Sequence, residues 1–194
     1  PAGGHFAGPW SKYDLAPGLS EMCRAALIDV NGDGRLDAVV NESEYPDGRM
    51  AWFENHGGTD LASLFSEHPL ERPLNFAHTL NAWRDGAGAH IFVAEMAQGG
   101  WDAPYNWDAR LIRFDFSRDG RTWQRQVLYQ GMGTHEAKMA DLDGDGALEI
   151  IGKAWTVPKI QIWKQRQAPS PVAGFRHRFL DREKPYTGTD VIAA

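Results

Sequence analysis

The feature that most constrains this chain is a pair of acidic nine-residue loops set 112 residues apart. Asp29-Val30-Asn31-Gly32-Asp33-Gly34-Arg35-Leu36-Asp37 aligns with Asp141-Leu142-Asp143-Gly144-Asp145-Gly146-Ala147-Leu148-Glu149. Oxygen-bearing side chains stand at positions 1, 3, 5 and 9 of both, and the glycines allow a tight turn that points them inward. Strand-like runs follow, Ala38-Val39-Val40 and Ile150-Ile151. A separation of 112 is two periods of 56, so a middle copy is expected near residue 85. There, His78 to Val93 holds two apolar runs around a Gly-rich turn without the carboxylates. The hairpin is kept and its acidic loop is lost.

Two further registers repeat at the same interval. An aromatic followed five residues later by Leu recurs at Trp10–Leu15, Phe65–Leu70, Trp123–Leu128 and Phe175–Leu180, with spacings of 55, 58 and 52. A basic start with an aromatic in fifth place recurs at Arg49–Glu54, Arg110–Asp115 and Lys159–Lys164. Each period thus carries four short β segments, in the first roughly 23–29, 37–42, 49–55 and 64–70. Four sequential strands per fifty-odd residues is the arithmetic of a propeller blade. The expected fold is all-β, a β-propeller segment of three four-stranded blades at roughly 22–72, 76–130 and 134–182, with partial strands at 10–15 and 189–194. Three blades alone would expose two apolar sheet faces. The remaining blades are therefore expected from chain beyond this segment or from a second copy.

Calcium is a hard cation that takes six to eight oxygens, and alternate positions of a tight loop supply them. Two Ca2+ sites are expected. The first uses Asp29, Asn31, Asp33, Arg35 and Asp37; the second uses Asp141, Asp143, Asp145, Ala147 and Glu149, with position 7 offering its backbone carbonyl. An EF-hand would require Glu at position 12, where Val40 and Gly152 stand, and flanking helices in place of strands. A dockerin-like pair would set its loops much closer together. These loops, with Met50-Ala51-Trp52-Phe53-Glu54-Asn55 after the first, resemble FG-GAP/VCBS repeats, the calcium-binding blades of integrin-type β-propellers. The resemblance covers nearly the whole chain. It implies seven blades, with each calcium loop joining the first and second strands on one face. The missing acidic loop of the middle repeat departs from the pattern, and the family spans adhesion modules, lectin-like domains and lyases.

If the loops mark one face, the starts of first strands and the ends of second strands make the opposite rim. His78 and His135 begin two first strands there, and Glu42, Glu95 and Lys153 end the three second strands. Two imidazoles beside carboxylates and an ammonium suit proton abstraction and return. His78, His135, Glu95 and Lys153 are accordingly the candidate catalytic set. The insertion Met96–Ala109 brings Trp101, Tyr105 and Trp107 among Gly, Pro, Asn and Asp, a combination suited to the flat face and hydroxyls of a sugar. Glu42 and Trp155 extend that substrate-binding surface.

Twenty basic against 26 acidic residues leave no cationic surplus for a nucleic-acid partner. No apolar run reaches the roughly 18 residues of a membrane span. A lone Cys23 precludes an intramolecular disulfide and most thiolate metal sites. The expectation is a calcium-binding propeller region of an extracytoplasmic or secreted protein, recognising carbohydrate or an extracellular protein on the rim opposite the metal. The alternatives are a sugar dehydratase or polysaccharide lyase, to whose repeats these look similar, with His78 or His135 as base and Lys153 stabilising the oxyanion, and a scaffold or adhesion module without catalysis.

Overall fold

Short runs of β-branched and aromatic residues, cut by Gly, Asn and Asp, form eleven strands and no helix among the described residues. The computed structural model describes residues 9–16, 18–19, 24–44, 46–96, 108–131, 133–154 and 159–165. The first sheet runs β1 (Arg24–Ile28), β2 (Asp37–Asn41), β3 (Gly48–Asn55), β4 (Phe65–Leu74), each strand antiparallel to the next. The second runs β5 (Ala77–Arg84), β6 (Ala89–Glu95), β7 (Arg110–Phe116), β8 (Trp123–Gln130). The third runs β9 (Glu136–Ala140), β10 (Glu149–Lys153), β11 (Gln161–Trp163).

The repeat is visible in the register. Ala38 on β2 faces Leu27 and Phe53, while Ile150, 112 residues later, faces Met139 and Trp163. Strand periodicity then sets the layers, because successive side chains point to opposite faces. On β6, Ile91 and Val93 join Val39, Met50 and Trp52 in a core against the first sheet. The alternate residues Phe92 and Ala94 join Ala137, Ile150 and Trp163 in a core against the third. The middle sheet is thus covered on both faces, and burying a Phe such as Phe92 contributes on the order of 1.5–3 kcal/mol. A third cluster, Ala38, Val40, Ala51 and Phe53 with Ala16 and Leu19, fills the far face of the first sheet.

First strands lie side by side, β1 beside β5 and β5 beside β9. Polar side chains staple them. Thr79 Oγ1 donates to the His135 carbonyl (3.2 Å) and accepts the Ala137 N–H (2.9 Å). Asn81 Nδ2 donates to the Ala137 carbonyl (2.9 Å), and Arg24 Nε donates to the His78 carbonyl (2.8 Å). Each of these bonds joins residues 54 to 58 apart, close to one period.

The expected partial strand at residues 10–15 is not one: the segment lies in no sheet and is exposed, Trp10 at 79%. A fourth strand needs the third strand of its own repeat alongside, and none precedes it among the described residues. Residues 175–180 and 189–194 lie outside the described residues.

Gly133 carries the chain from the second sheet to the third. A Cβ there would stand 1.3 Å from the Met96 carbonyl oxygen, and the adjacent Thr134 N–H donates to Glu95 O (2.8 Å). Gly133→Ala should destabilise the fold by about 3 kcal/mol, read as a lower urea midpoint with an unchanged slope.

Candidate functional site

The two acidic loops fold alike down to their dihedral angles. Gly32 and Gly34 have φ of 77° and 86°, and Gly144 and Gly146 have 78° and 88°. Residues with a Cβ avoid this left-handed region, which is why Gly recurs at positions 4 and 6. The first aspartate nucleates each turn. Asp29 accepts the Gly32 and Gly34 N–H groups (2.6 and 2.9 Å), and Asp141 accepts those of Gly144 and Gly146 (2.7 and 3.0 Å). Position 5 takes the N–H of position 7: Arg35 donates to Asp33 (2.9 Å) and Ala147 to Asp145 (2.8 Å). Position 9 takes the N–H of position 2: Val30 donates to Asp37 and Leu142 to Glu149, both at 2.9 Å.

The loops part company at position 9. Both Asp37 oxygens are engaged, Oδ2 by Val30 and Oδ1 by the Asn55 N–H (2.8 Å), and burial pushes its pKa above the ordinary carboxylate value. Glu149 is one methylene longer. Its side chain is 3% exposed, its Oε2 accepts the Leu142 N–H, and its buried Oε1 is met only by the Lys164 ammonium, at the long distance of 3.4 Å. That oxygen converges with carboxylate oxygens of Asp141 and Asp143 to within 4.8 Å. An ordered carboxylate whose buried second oxygen has no close donor, aimed into a group of hard oxygen donors, is able to hold a hard metal ion. No matching three-carboxylate convergence forms in the first loop among the described residues.

Side chains missed in the sequence surround both loops. Arg35 is ion-paired with Asp33, and its Nε donates to the Asn55 carbonyl (2.7 Å). Asn31 Nδ2 donates to Glu54 Oε1 (3.0 Å), turning the amide oxygen toward the Asp33 N–H. Arg84, from the hairpin of the middle repeat, donates to the Asp29 and Val30 carbonyls (2.9 and 3.1 Å). On the second loop, the Lys164 ammonium pairs with Asp143, with Asp145 (2.8 Å) and with Glu149 Oε1 (3.4 Å). Hydrogen bonds to Asp143 and Asp145 push the Lys164 pKa well above its ordinary value.

At the opposite ends of the strands the two histidines do meet. The His78 and His135 rings stack with centroids 3.9 Å apart and planes 23° from parallel. Arg24 Nη2 lies 3.0 Å from His78 Nδ1; a guanidinium can only donate, so Nδ1 accepts and the ring proton sits on Nε2, 3.4 Å from Glu44 Oε1. The same Arg24 atom donates to Glu136 Oε2 at 3.2 Å. Burial pushes the His135 pKa below the ordinary imidazole value, and the positive charge of Arg24 adds to the push. Glu136 had no sequence signal beyond its place next to His135, and Arg24 and Glu44 had none.

The other rim residues are placed elsewhere. Glu95 is fully buried and saturated: Oε1 accepts the Asn75 N–H (2.8 Å) and Arg110 Nη2 (2.6 Å), and Oε2 accepts Arg110 Nε (2.8 Å) and the Arg110 N–H (2.9 Å). Both of its oxygens are thus engaged by Asn75 and Arg110, which anchor it between the strands. Glu42 does the equivalent work in the first sheet, its Oε2 accepting the Arg49 N–H (2.9 Å); it is buried there and not spread on a ligand surface. Lys153 donates to the Ala154 carbonyl (3.2 Å). Trp101, Tyr105, Trp107 and Trp155 lie outside the described residues.

Glu95→Ala should cost about 3 kcal/mol, because Arg110 would keep a half-buried charge without its carboxylate; denaturant unfolding measures it. For His135 the sign is set by its depressed folded pKa. The unfolded state binds more protons between that value and the ordinary 6.5, so stability rises with pH through this window and is complete above it. Melting temperature should therefore fall on acidification from about pH 7.5 to about pH 5, less steeply in His135→Gln than in the unaltered chain.

The chain matches no family model, no curated protein and no solved structure with which it was compared, so its likeness to FG-GAP/VCBS repeats rests on the residues themselves.

Proposed function

We propose that this chain is a run of calcium-binding blades from a β-propeller of the FG-GAP/VCBS type, and that it recognises carbohydrate or protein at the rim opposite the metal loops. The observation that carries the reading is the buried Glu149 Oε1, met only by a long Lys164 contact, converging with Asp141 and Asp143. Support for the propeller comes from three antiparallel meanders stacked in chain order, with first strands adjacent and stapled at one-period intervals. Asp141, Asp143, Asp145 and Glu149 would hold the ion in the second loop, and Asp29, Asn31 and Asp33 supply the corresponding oxygens of the first. Bound calcium would crosslink the hairpin tip electrostatically. Such surface loops, with few carboxylates fixed in place, suit the millimolar calcium found outside the cytoplasm, which is the ground for an extracytoplasmic setting.

The stacked histidines favour a second reading, a sugar dehydratase or lyase. His135, with its depressed pKa, is able to accept a proton at neutral pH while Arg24 and His78 orient the ring pair. Glu44 and Glu136 replace Glu95 as the carboxylates at that site.

Calcium binds the folded state, so it should raise the melting temperature, by a stabilisation of about 2.7 kcal/mol once free calcium is 100-fold above Kd. Asp143→Asn should remove most of that gain. A melting curve indifferent to calcium and chelator alike would overturn the reading.

A further inference from the structure

The two loops share a backbone but carry opposite charge at one matched position of the third strand beside them. Counting from the paired residues Ala38–Phe53 and Ile150–Trp163, Glu54 and Lys164 stand at the same place in the ladder, one residue past the aromatic that faces position 10 of each loop. In the first repeat this place holds a carboxylate that accepts from Asn31 and pairs with His68 (2.9 Å). In the third it holds an ammonium that reaches over the loop to Asp143, Asp145 and Glu149. The only cation of the first loop's own nine residues, Arg35, takes a different course: it pairs with Asp33 and is pulled outward by the Asn55 carbonyl.

Resting on the calcium reading of the second loop, we propose that Lys164 is a tethered counter-ion of that loop, which a divalent cation must displace to bind. Two of the three carboxylates whose oxygens converge within 4.8 Å, Asp143 and Glu149, are the ones the ammonium contacts. The third contact, Asp145, is the remaining odd-position donor of the same loop. A cation held by these oxygens and the Lys164 ammonium therefore claim the same lone pairs, and like charges at contact distance repel. Exchange is one for one: the ion enters and the ammonium swings out on its flexible four-carbon stem. The device makes the apo loop electrostatically satisfied, keeps its calcium affinity low, and couples occupancy to the release of a reactive amine next to β11. The first loop has no equivalent, because Glu54 stands where Lys164 would be.

The test uses the full chain carrying Asp29→Asn, which silences the first loop, with and without Lys164→Gln, titrated with calcium by calorimetry. An exposed pair contributes up to about 1 kcal/mol, and a three-carboxylate network exceeds one pair, so Lys164→Gln should tighten binding about tenfold. Acylation of lysines in the unaltered chain, mapped by mass spectrometry, gives a second readout that needs no substitution. Calcium should raise the modification of Lys164 and leave Lys138, which pairs with Glu136 and Asn81, unchanged. Binding only after Lys164→Gln would support the proposal. Equal affinity with and without Lys164, and equal Lys164 labelling with calcium and with chelator, would overturn it while leaving the calcium reading intact. Absence of binding in both chains would remove the calcium reading of this loop and the proposal with it.

Discussion

Short strands leave many backbone N–H groups at their ends without a ladder partner, and in this chain carboxylates accept them. At one end of the sheets Asp29 and Asp37, and again Asp141 and Glu149, each take an N–H from within their own loop. At the other end Glu42 and Glu95 take the N–H of the residue that opens the third strand or follows its opening. These strand ends therefore depend on an acidic side chain being in place. The cost of an orphaned buried N–H, about 1–3 kcal/mol, sets how firmly these residues are held. The chemistry available at either rim follows from what is left over: a carboxylate that has spent its oxygens is scaffold, and one with an oxygen to spare is able to take a ligand.

That distinction separates what the sequence discloses from what it hides. The strand content, the two hairpin loops and the stripped middle hairpin were legible because they depend on local alternation and on glycine at fixed positions. Even the matched φ values at positions 4 and 6 are a local property. Glu95 could not be read, since a buried Glu saturated by Arg110 and a catalytic Glu at a strand end look identical in one dimension. Its partner Arg110 was visible as the basic start of a strand, with nothing to say that the guanidinium turns back onto β6. The histidine pair was legible in outline, through two first-strand starts one period apart. Its neighbours Arg24 and Glu44 were not, because they come to it from the preceding repeat. The sequence did hold one unread signal: aligning the third strands places Glu54 against Lys164 and exposes the charge reversal beside the two loops.

Repetition also explains why the middle sheet can be so apolar. Its β6 strand is buried along its whole length, which is possible only when a sheet lies on each side. The polar staples Thr79 and Asn81 on β5 are the counterpart of that burial. They pair with the His135 and Ala137 carbonyls and the Ala137 amide where two first strands meet without sharing a ladder, so these backbone groups stay bonded on close approach. Hydrophobic burial sets the stacking order, and these hydrogen bonds set the register of one sheet on the next.

The three hairpin tips face one electrostatic problem and meet it differently. Three or four carboxylates within one tight turn repel one another, and the repulsion must be offset before the turn can close. The first repeat offsets it with guanidinium groups, Arg35 from within and Arg84 from the neighbouring sheet, which bind the loop's edge and its carbonyls. The third offsets it with the Lys164 ammonium set across the carboxylates themselves. The middle repeat deletes the acids but one: Asp85 accepts the Ala87 N–H (2.7 Å) and faces the buried His90 (3.1 Å), which holds its pKa below the ordinary value. Its one carboxylate is already faced by His90, which leaves the Arg84 guanidinium to support the loop before it.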